Sequence, residues 1–308
     1  MMLDYPLLAA LAAVVREGSF ERAARALHVT PSAISQRVKL LEERLGGVLV
    51  VRGQPCVATE AGRKLCRHVE QVALLEQELR GALPMRGMAA AEAARVSLRV
   101  AVNADSLGTW FIAALAAFCA SEPVLVDVVI DDEEHTAGWL RSGEVLAAVT
   151  GDAQPVQGCR SLALGRLPYL ATASPSFVQA HFAAGINAAS LARAPALGFN
   201  RKDRLQAQWV RRICRRDVGL PTHWLPSSQA FVDASLAGIG WGMNPLPLVE
   251  AHLQSGRLVE LVPGRGMQVP LHWQVTRLAV PVIERLTQAV VQAAQAGLQR
   301  GVAARQAR

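Results

Sequence analysis

The chain has 308 residues, of which 51% are hydrophobic and 19% charged, with a formal net charge of +7 and a pI near 9.7. That length exceeds one small domain, and that composition can bury a sizeable core and gives no sign of disorder. Five scattered cysteines with no C-x-x-C pair exclude a disulfide framework and a zinc site; they fit reduced thiols, with a redox-sensing thiol as the lesser alternative.

The stretch from Met1 to Val15 has an early acid at Asp4 and no basic leader. Its apolar run stops at Arg16-Glu17, short of the roughly 20 residues that a membrane span needs. A cytoplasmic protein with no membrane partner is expected. From Met1 to Ala58 seven basic residues face five acidic ones, so an argument for nucleic-acid binding has to rest on arrangement.

Ser19 is placed to cap a short helix in which Ala23 and Ala24 permit close helix contact. Val29-Thr30 form the turn; Thr30 caps a second helix, with Pro31 at its first position. Ile34, Val38, Leu41 and Leu45 recur at helical spacing and are expected to face the core. The opposite face carries Ser32, Ser35, Gln36 and Lys39, with Arg37 near its edge. Hydroxyls, an amide and cations on one helix suit base edges and phosphates in a major groove. Alone they equally suit solvent, but the ordered series of cap, small-residue contact, turn and polar-faced second helix points to DNA. Val48–Arg52 and Cys56–Ala58, joined by Gly53-Gln54-Pro55, read as a wing. Arg52 at its tip could meet a minor groove or a phosphate, or stay idle in solvent.

A long helix is predicted over Thr59–Leu83, followed by Pro84. Its stripe of Leu65, Val69, Val72, Leu75, Leu79 and Leu83 fits packing on its own chain or a dimer seam. From about Arg95, strand patterns over Val96–Val102, Val124–Ile130 and Ala147–Thr150 alternate with helices over Leu107–Ala120 and Glu134–Ser142. A second set has strands over Tyr169–Ala173, Ala196–Phe199 and Gly240–Asn244, with helices over Arg204–Arg216 and Ser228–Ala237. A strand over Val269–Val275 and a helix over Val282–Gln299 come last, free to return to the first set. This predicts a hinged α/β domain of two lobes.

Open α/β sheets bind ligands at strand ends, and polar residues collect there. Asn103-Ala104-Asp105-Ser106 offers N–H groups and a hydroxyl for a carboxylate, with Asp105 for an ammonium; ordinary helix capping is the alternative. Asp131 and Asp132 open a run of four acids that fits either a solvated helix start or an acceptor for a basic side chain. Thr150, Asn200, Asp203, Ser227 and Ser228 offer further polar groups, and Trp110 a wall. Arg211, Arg212, Arg215 and Arg216 fit a solvated face better than a binding patch. With no nucleophile-elbow, zinc-protease, phosphate-loop or dinucleotide-loop motif, neither an enzyme nor a metal or cofactor is expected.

The series Phe20, Ala23, Ala24, Leu27, Thr30, Ser32, Ala33, Ser35, Val38, Leu41, Glu42, Leu45 and Gly46, then Leu49, Val50 and Arg52, then Thr59, Ala61 and Gly62, resembles the helix-turn-helix of LysR-type transcriptional regulators. The resemblance implies an N-terminal all-α winged helix-turn-helix over 1–58 and a linker or dimerisation helix over 59–87. It further implies a C-terminal α/β two-lobed effector domain over 95–308, periplasmic-binding-protein-like (type II). Lobe 1 would take about 95–166 and 269–308, and lobe 2 about 167–268. Double-stranded DNA would be bound through Thr30, Pro31, Ser32, Ser35, Gln36, Arg37, Lys39 and Arg52 by a homodimer or tetramer, with RNA polymerase a further candidate partner.

Segments starting at Val102, Asp131, Arg141, Phe199 and Pro226 resemble the lysine- and arginine-responsive branch that controls basic amino-acid export. This implies a basic amino acid as effector, its carboxylate on Ser106 and Thr150, its amine on Asp105 and its side chain on an acid. A regulator that answers to a different small acid is the alternative, and a solute-binding protein a remote one.

Overall fold

A computed structural model describes residues 3–82, 97–131, 136–278 and 280–299. They fold as two compact units. The first spans the described residues up to Leu98, with Ser142–Glu144 and residues 280–283; the second holds the rest.

The first unit begins with α1 (Tyr5–Glu17), α2 (Phe20–Ala26) and α3 (Pro31–Leu45). Leu8, Leu11, Val14, Ala23, Ala24, Ile34, Val38 and Leu41 close one core between them. The caps are those anticipated. The Arg22 N–H donates to Ser19 Oγ at 3.3 Å and the Ala33 N–H to Thr30 Oγ1 at 3.2 Å, with Pro31 opening α3. The turn starts one residue earlier than expected, because His28 already takes a left-handed conformation at φ 53°. Leu45, expected in the core, is 38% exposed; it is the last residue of α3, where Gly46 turns the chain away at φ 70°.

The wing pairs β1 (Val50–Val51) with β2 (Val57–Ala58), antiparallel and shorter than predicted. Two side chains anchor it. Glu42 Oε1 accepts the N–H groups of Leu49 and Val50 at 2.8 and 3.4 Å, and the Thr59 hydroxyl donates to the Val48 carbonyl at 2.9 Å. Thr59 also accepts the Gly62 N–H at 3.2 Å as α4 (Glu60–Ala82) begins. A Cβ at Gly62 would lie 2.1 Å from the Leu49 carbonyl oxygen, so this spacing of threonine and glycine exists to bring helix and wing backbone together.

Helix α4 divides the two readings of its stripe. Leu65, Cys66 and Val69 pack against the helix-turn-helix core. Leu75 and Leu79, farther along, are 45% and 59% exposed. Leu83 and the Pro84 break lie outside the described residues.

β3 (Ser97–Asn103), which enters the second unit at Arg99, leads into α5 (Ala104–Ser106), a π-helical turn (Leu107–Phe111) and α6 (Ile112–Ser121) as one helical run. Then come β4 (Leu125–Asp131), α7 (Thr136–Ser142), β5 (Ala147–Thr150) and the 15-residue β6 (Cys159–Ala173). Beyond it lie α8 (Pro175–Phe182), α9 (Ala188–Leu191), β7 (Ala196–Gly198), α10 (Leu205–Cys214), β8 (Thr222–Trp224), α11 (Ser228–Leu236), β9 (Gly242–Pro245), α12 (Leu246–Gln254) and β10 (Val259–Glu260). β11 (Met267–Thr276) and α13 (Pro281–Gly297) close the chain.

The main sheet runs β10-β6-β11-β5-β3-β4, with β9 also on β6, and β7 and β8 make a small parallel sheet. β3 and β5 are parallel, whereas β11 runs antiparallel to both β5 and β6. One stretch of β6 pairs with β11, and its far end with β9 and β10. β6 and β11 therefore cross between two lobes of one curled mixed sheet, the two-lobed type II architecture expected. The late elements do return to the first lobe: Trp273 on β11 lies opposite Val149 and its indole N–H donates to Thr287 on α13 at 3.1 Å. The half of β6 before Tyr169 was not anticipated, because Gly165 and Pro168 argue against a strand. The sheet absorbs Gly165 through a bulge at φ 139°, and Pro168 pairs in regular register opposite Gln268. The described helix α7 starts at Thr136, so the predicted start at Glu134 lies outside the described residues.

Candidate functional site

On α3 the core residues Ile34, Val38 and Leu41 are buried, which turns Ser32, Gln36 and Lys39 outward as exposed residues. Ser35 and Arg37 are half-buried at the edges of that face, and Thr30 and Pro31 stand exposed at its start. The Thr30 and Ser32 hydroxyls are 3.0 Å apart. Lys39 Nζ lies 3.7 Å from Glu43, a surface pair that leaves the lysine side chain 73% exposed. Arg52 is exposed on the wing with its guanidinium 5.1 Å from the centre of the Phe20 ring. That stacking orients the cation without neutralising it.

The second unit contains a cavity of about 240 Å³. Of the predicted effector residues, Asn103, Asp105, Asp203 and Ser228 line it, from three separate segments of the chain. Asp105 is its best-defined group. One carboxylate oxygen accepts the Tyr169 hydroxyl at 2.6 Å, and the other accepts the Ser228 hydroxyl at 2.5 Å. Burial pushes the Asp105 carboxyl above the ordinary range, the two hydroxyls pull it back, and the Asp203 charge pushes it up again. Asp203 holds its place by accepting the Phe199 N–H at 3.0 Å and the Leu205 N–H at 2.9 Å.

Asn103 is 1% exposed, and neither its amide oxygen nor its nitrogen has a partner among the described residues. A buried amide with both ends unpaired is costly, and the residue that carries it stands on the cavity lining. The Ser106 hydroxyl is fully buried and likewise unpartnered among the described residues.

Other predicted residues do not line the cavity. Ser106 lies behind the wall. Thr150 accepts the Asp152 N–H at 3.1 Å, leaving its neighbour Gly151 on the lining. Asn200 closes its own turn, taking the N–H groups of Lys202 and Asp203. Ser227 caps α11 through the Ala230 N–H. Trp110 is a core residue, edge-on to Phe111 at 5.5 Å and crowded by Gly297, rather than a wall. The Asp131 side chain and all of Asp132 lie outside the described residues. Conversely, Tyr169 and Gln206 gave no sequence signal: one reads as an ordinary strand aromatic and the other as a polar helix position.

Comparison with known proteins settles the family. Residues 6–63 match the family of bacterial regulatory helix-turn-helix proteins of the lysR type, and residues 91–298 match the LysR substrate binding domain. The chain belongs to the LysR family. It is 48% identical over 299 residues to the HTH-type transcriptional regulator LysG of Mycobacterium tuberculosis, covering 97% of this chain and 96% of that one. The crystal structure of ArgP from Mycobacterium tuberculosis superposes with a TM-score of 0.81 at 47% identity, covering 97% of this chain and 100% of that one. A full-length LysG from Corynebacterium glutamicum with bound effector Arg gives a TM-score of 0.71 at 37% identity, covering 96% and 100%. These relatives are transcriptional regulators, so the LysR-family chain described here has a regulator's pairing of DNA-binding and effector domains.

Proposed function

We propose that this LysR-family regulator binds operator DNA through α3 and the wing and senses a basic amino acid, lysine or arginine, in the cavity around Asp105. The observation that carries the effector reading is the shared cavity: two carboxylates, Asp105 and Asp203, and the unpaired amide of Asn103. A zwitterion with an added cation offers an ammonium to Asp105, a side-chain cation to Asp203 and a carboxylate to the Asn103 amide N–H. The relative with bound Arg supports the same class. Lys202 and Arg204 also reach the lining and favour a second reading, a small dicarboxylic acid. Both cations sit on exposed residues, whereas the acids are half-buried, where an effective dielectric lower than water's gives their charge more weight.

The proposed boundaries are 1–58 for the winged helix-turn-helix, 59–87 for the linker helix and 95–308 for the effector domain. The protein acts in the cytoplasm, is not an enzyme, controls an amino-acid exporter or related gene, and has RNA polymerase as a further partner. It works as a homodimer or tetramer. Leu75 and Leu79 on α4 form one seam. The second unit offers another at Ile112, Leu125 and Ile130, each at least half exposed. The run Ala104–Ser121 has the length and apolarity of a membrane span, but it lies within the matched effector domain and buries Phe111 and Phe118.

A mobility-shift assay on the protein's own promoter tests the reading. The fragment should be retained, and arginine but not glutamate should alter the retained complex; conversion of an amino acid without DNA would contradict it. In the same assay Gln36→Ala should relax base preference at one half-site position, at about 1–3 kcal/mol. Lys39→Ala should weaken all sequences alike and lower the salt slope by about one. Unchanged binding in both variants would remove α3 from the groove.

A further inference from the structure

Gln206 is the second residue of α10 and only 6% exposed, yet it lines the cavity. Its side-chain amide makes no hydrogen bond among the described residues. The amide nitrogen and oxygen are not fully enclosed, so the cavity leaves them open to a ligand. Asp203, three residues earlier and just before α10, lines the same cavity. Both residues come from the second lobe, whereas Asn103 and Asp105 come from the first.

We propose that Gln206 is a specificity-determining residue that, together with Asp203, reads the cationic end of the effector and favours a guanidinium over an ammonium. This rests on the basic amino-acid reading of the cavity. Each Asp203 oxygen already accepts one backbone N–H, which leaves limited acceptor capacity for a ligand. The Gln206 amide oxygen adds an acceptor on the same lining. A guanidinium presents five N–H donors in one plane and can engage both residues at once; an ammonium is a compact charge satisfied by Asp203 alone.

Calorimetric titration of the full-length protein with arginine, lysine and citrulline tests the assignment. Gln206→Met keeps the volume and removes the acceptor, so arginine affinity should fall about tenfold while lysine affinity changes by less than about threefold. Gln206→Glu keeps an acceptor oxygen in place and should hold arginine within about threefold of the wild type. Citrulline, which replaces the guanidinium by a neutral urea, should bind more weakly than arginine to the wild type. Equal loss of arginine and lysine in Gln206→Met, no loss of either, or a Glu variant as weak as the Met variant would overturn the assignment while leaving the effector class intact. A wild-type protein that binds neither basic amino acid would overturn the effector class itself, and this assignment with it.

Discussion

Replacing Leu75 and Leu79 by aspartate should convert the protein to a monomer and lower operator affinity by at least about a hundredfold. The two leucines sit one turn apart on a 23-residue helix and are 45% and 59% exposed, whereas the same stripe nearer its start is occupied by the helix-turn-helix core. Burying such side chains in a seam is worth roughly 1.5–3 kcal/mol each. Four aspartates brought together by two-fold symmetry would oppose it by like-charge repulsion and desolvation. One module contributes few DNA contacts, so loss of the second recognition helix about 34 Å away removes an avidity of order 10²–10⁴. Sedimentation and mobility shift measure both effects. The DNA-binding core should stay folded, because Leu65, Cys66 and Val69 are untouched. A variant that remains dimeric with full operator affinity would place the seam elsewhere.

Asp105→Asn should weaken lysine and arginine by about 10–100-fold, the range expected for losing a charge-assisted hydrogen bond. Operator binding without effector should persist. Its effect on stability has a definite sign. Burial leaves the Asp105 carboxyl raised, so the folded state holds this proton more tightly than the unfolded one. The stability linked to the group is present in acid and is lost as pH rises from the ordinary carboxylate range through the raised value. Wherever the carboxylate is ionised it is therefore a net cost in the ligand-free protein, and Asn should leave Tm unchanged or higher. Parallel loss of Tm and effector affinity would instead make Asp105 a structural residue.

The helix-turn-helix was legible because its signals are local. Caps at Ser19 and Thr30, Pro31 at the helix start and the spacing of Ile34, Val38 and Leu41 act within a few residues of chain. Gly62 was legible as part of a motif but not as a cause; its clash with the Leu49 carbonyl depends on the folded wing. The first half of β6 was hidden because Gly165 and Pro168 argue against a strand, and the bulge that seats Gly165 depends on β11. In the cavity, strand ends located Asn103, Asp105 and Asp203, and a helix start located Ser228. Side-chain direction was not legible: Thr150, Asn200 and Ser227 use their oxygens on nearby backbone, and Trp110 turns into the core. Tyr169 reaches Asp105 across 64 residues of sequence, a contact that no local pattern records.

The most direct test of the account is a thermal-shift titration of the wild-type protein with lysine, arginine and glutamate. A ligand that binds only the folded state stabilises it by RT ln(1 + [L]/Kd), about 2.7 kcal/mol at a hundredfold excess over Kd. Lysine or arginine should raise Tm with concentration in this way, and glutamate should not. Stabilisation by a dicarboxylate or an aromatic acid, with none from either basic amino acid, would contradict the effector reading.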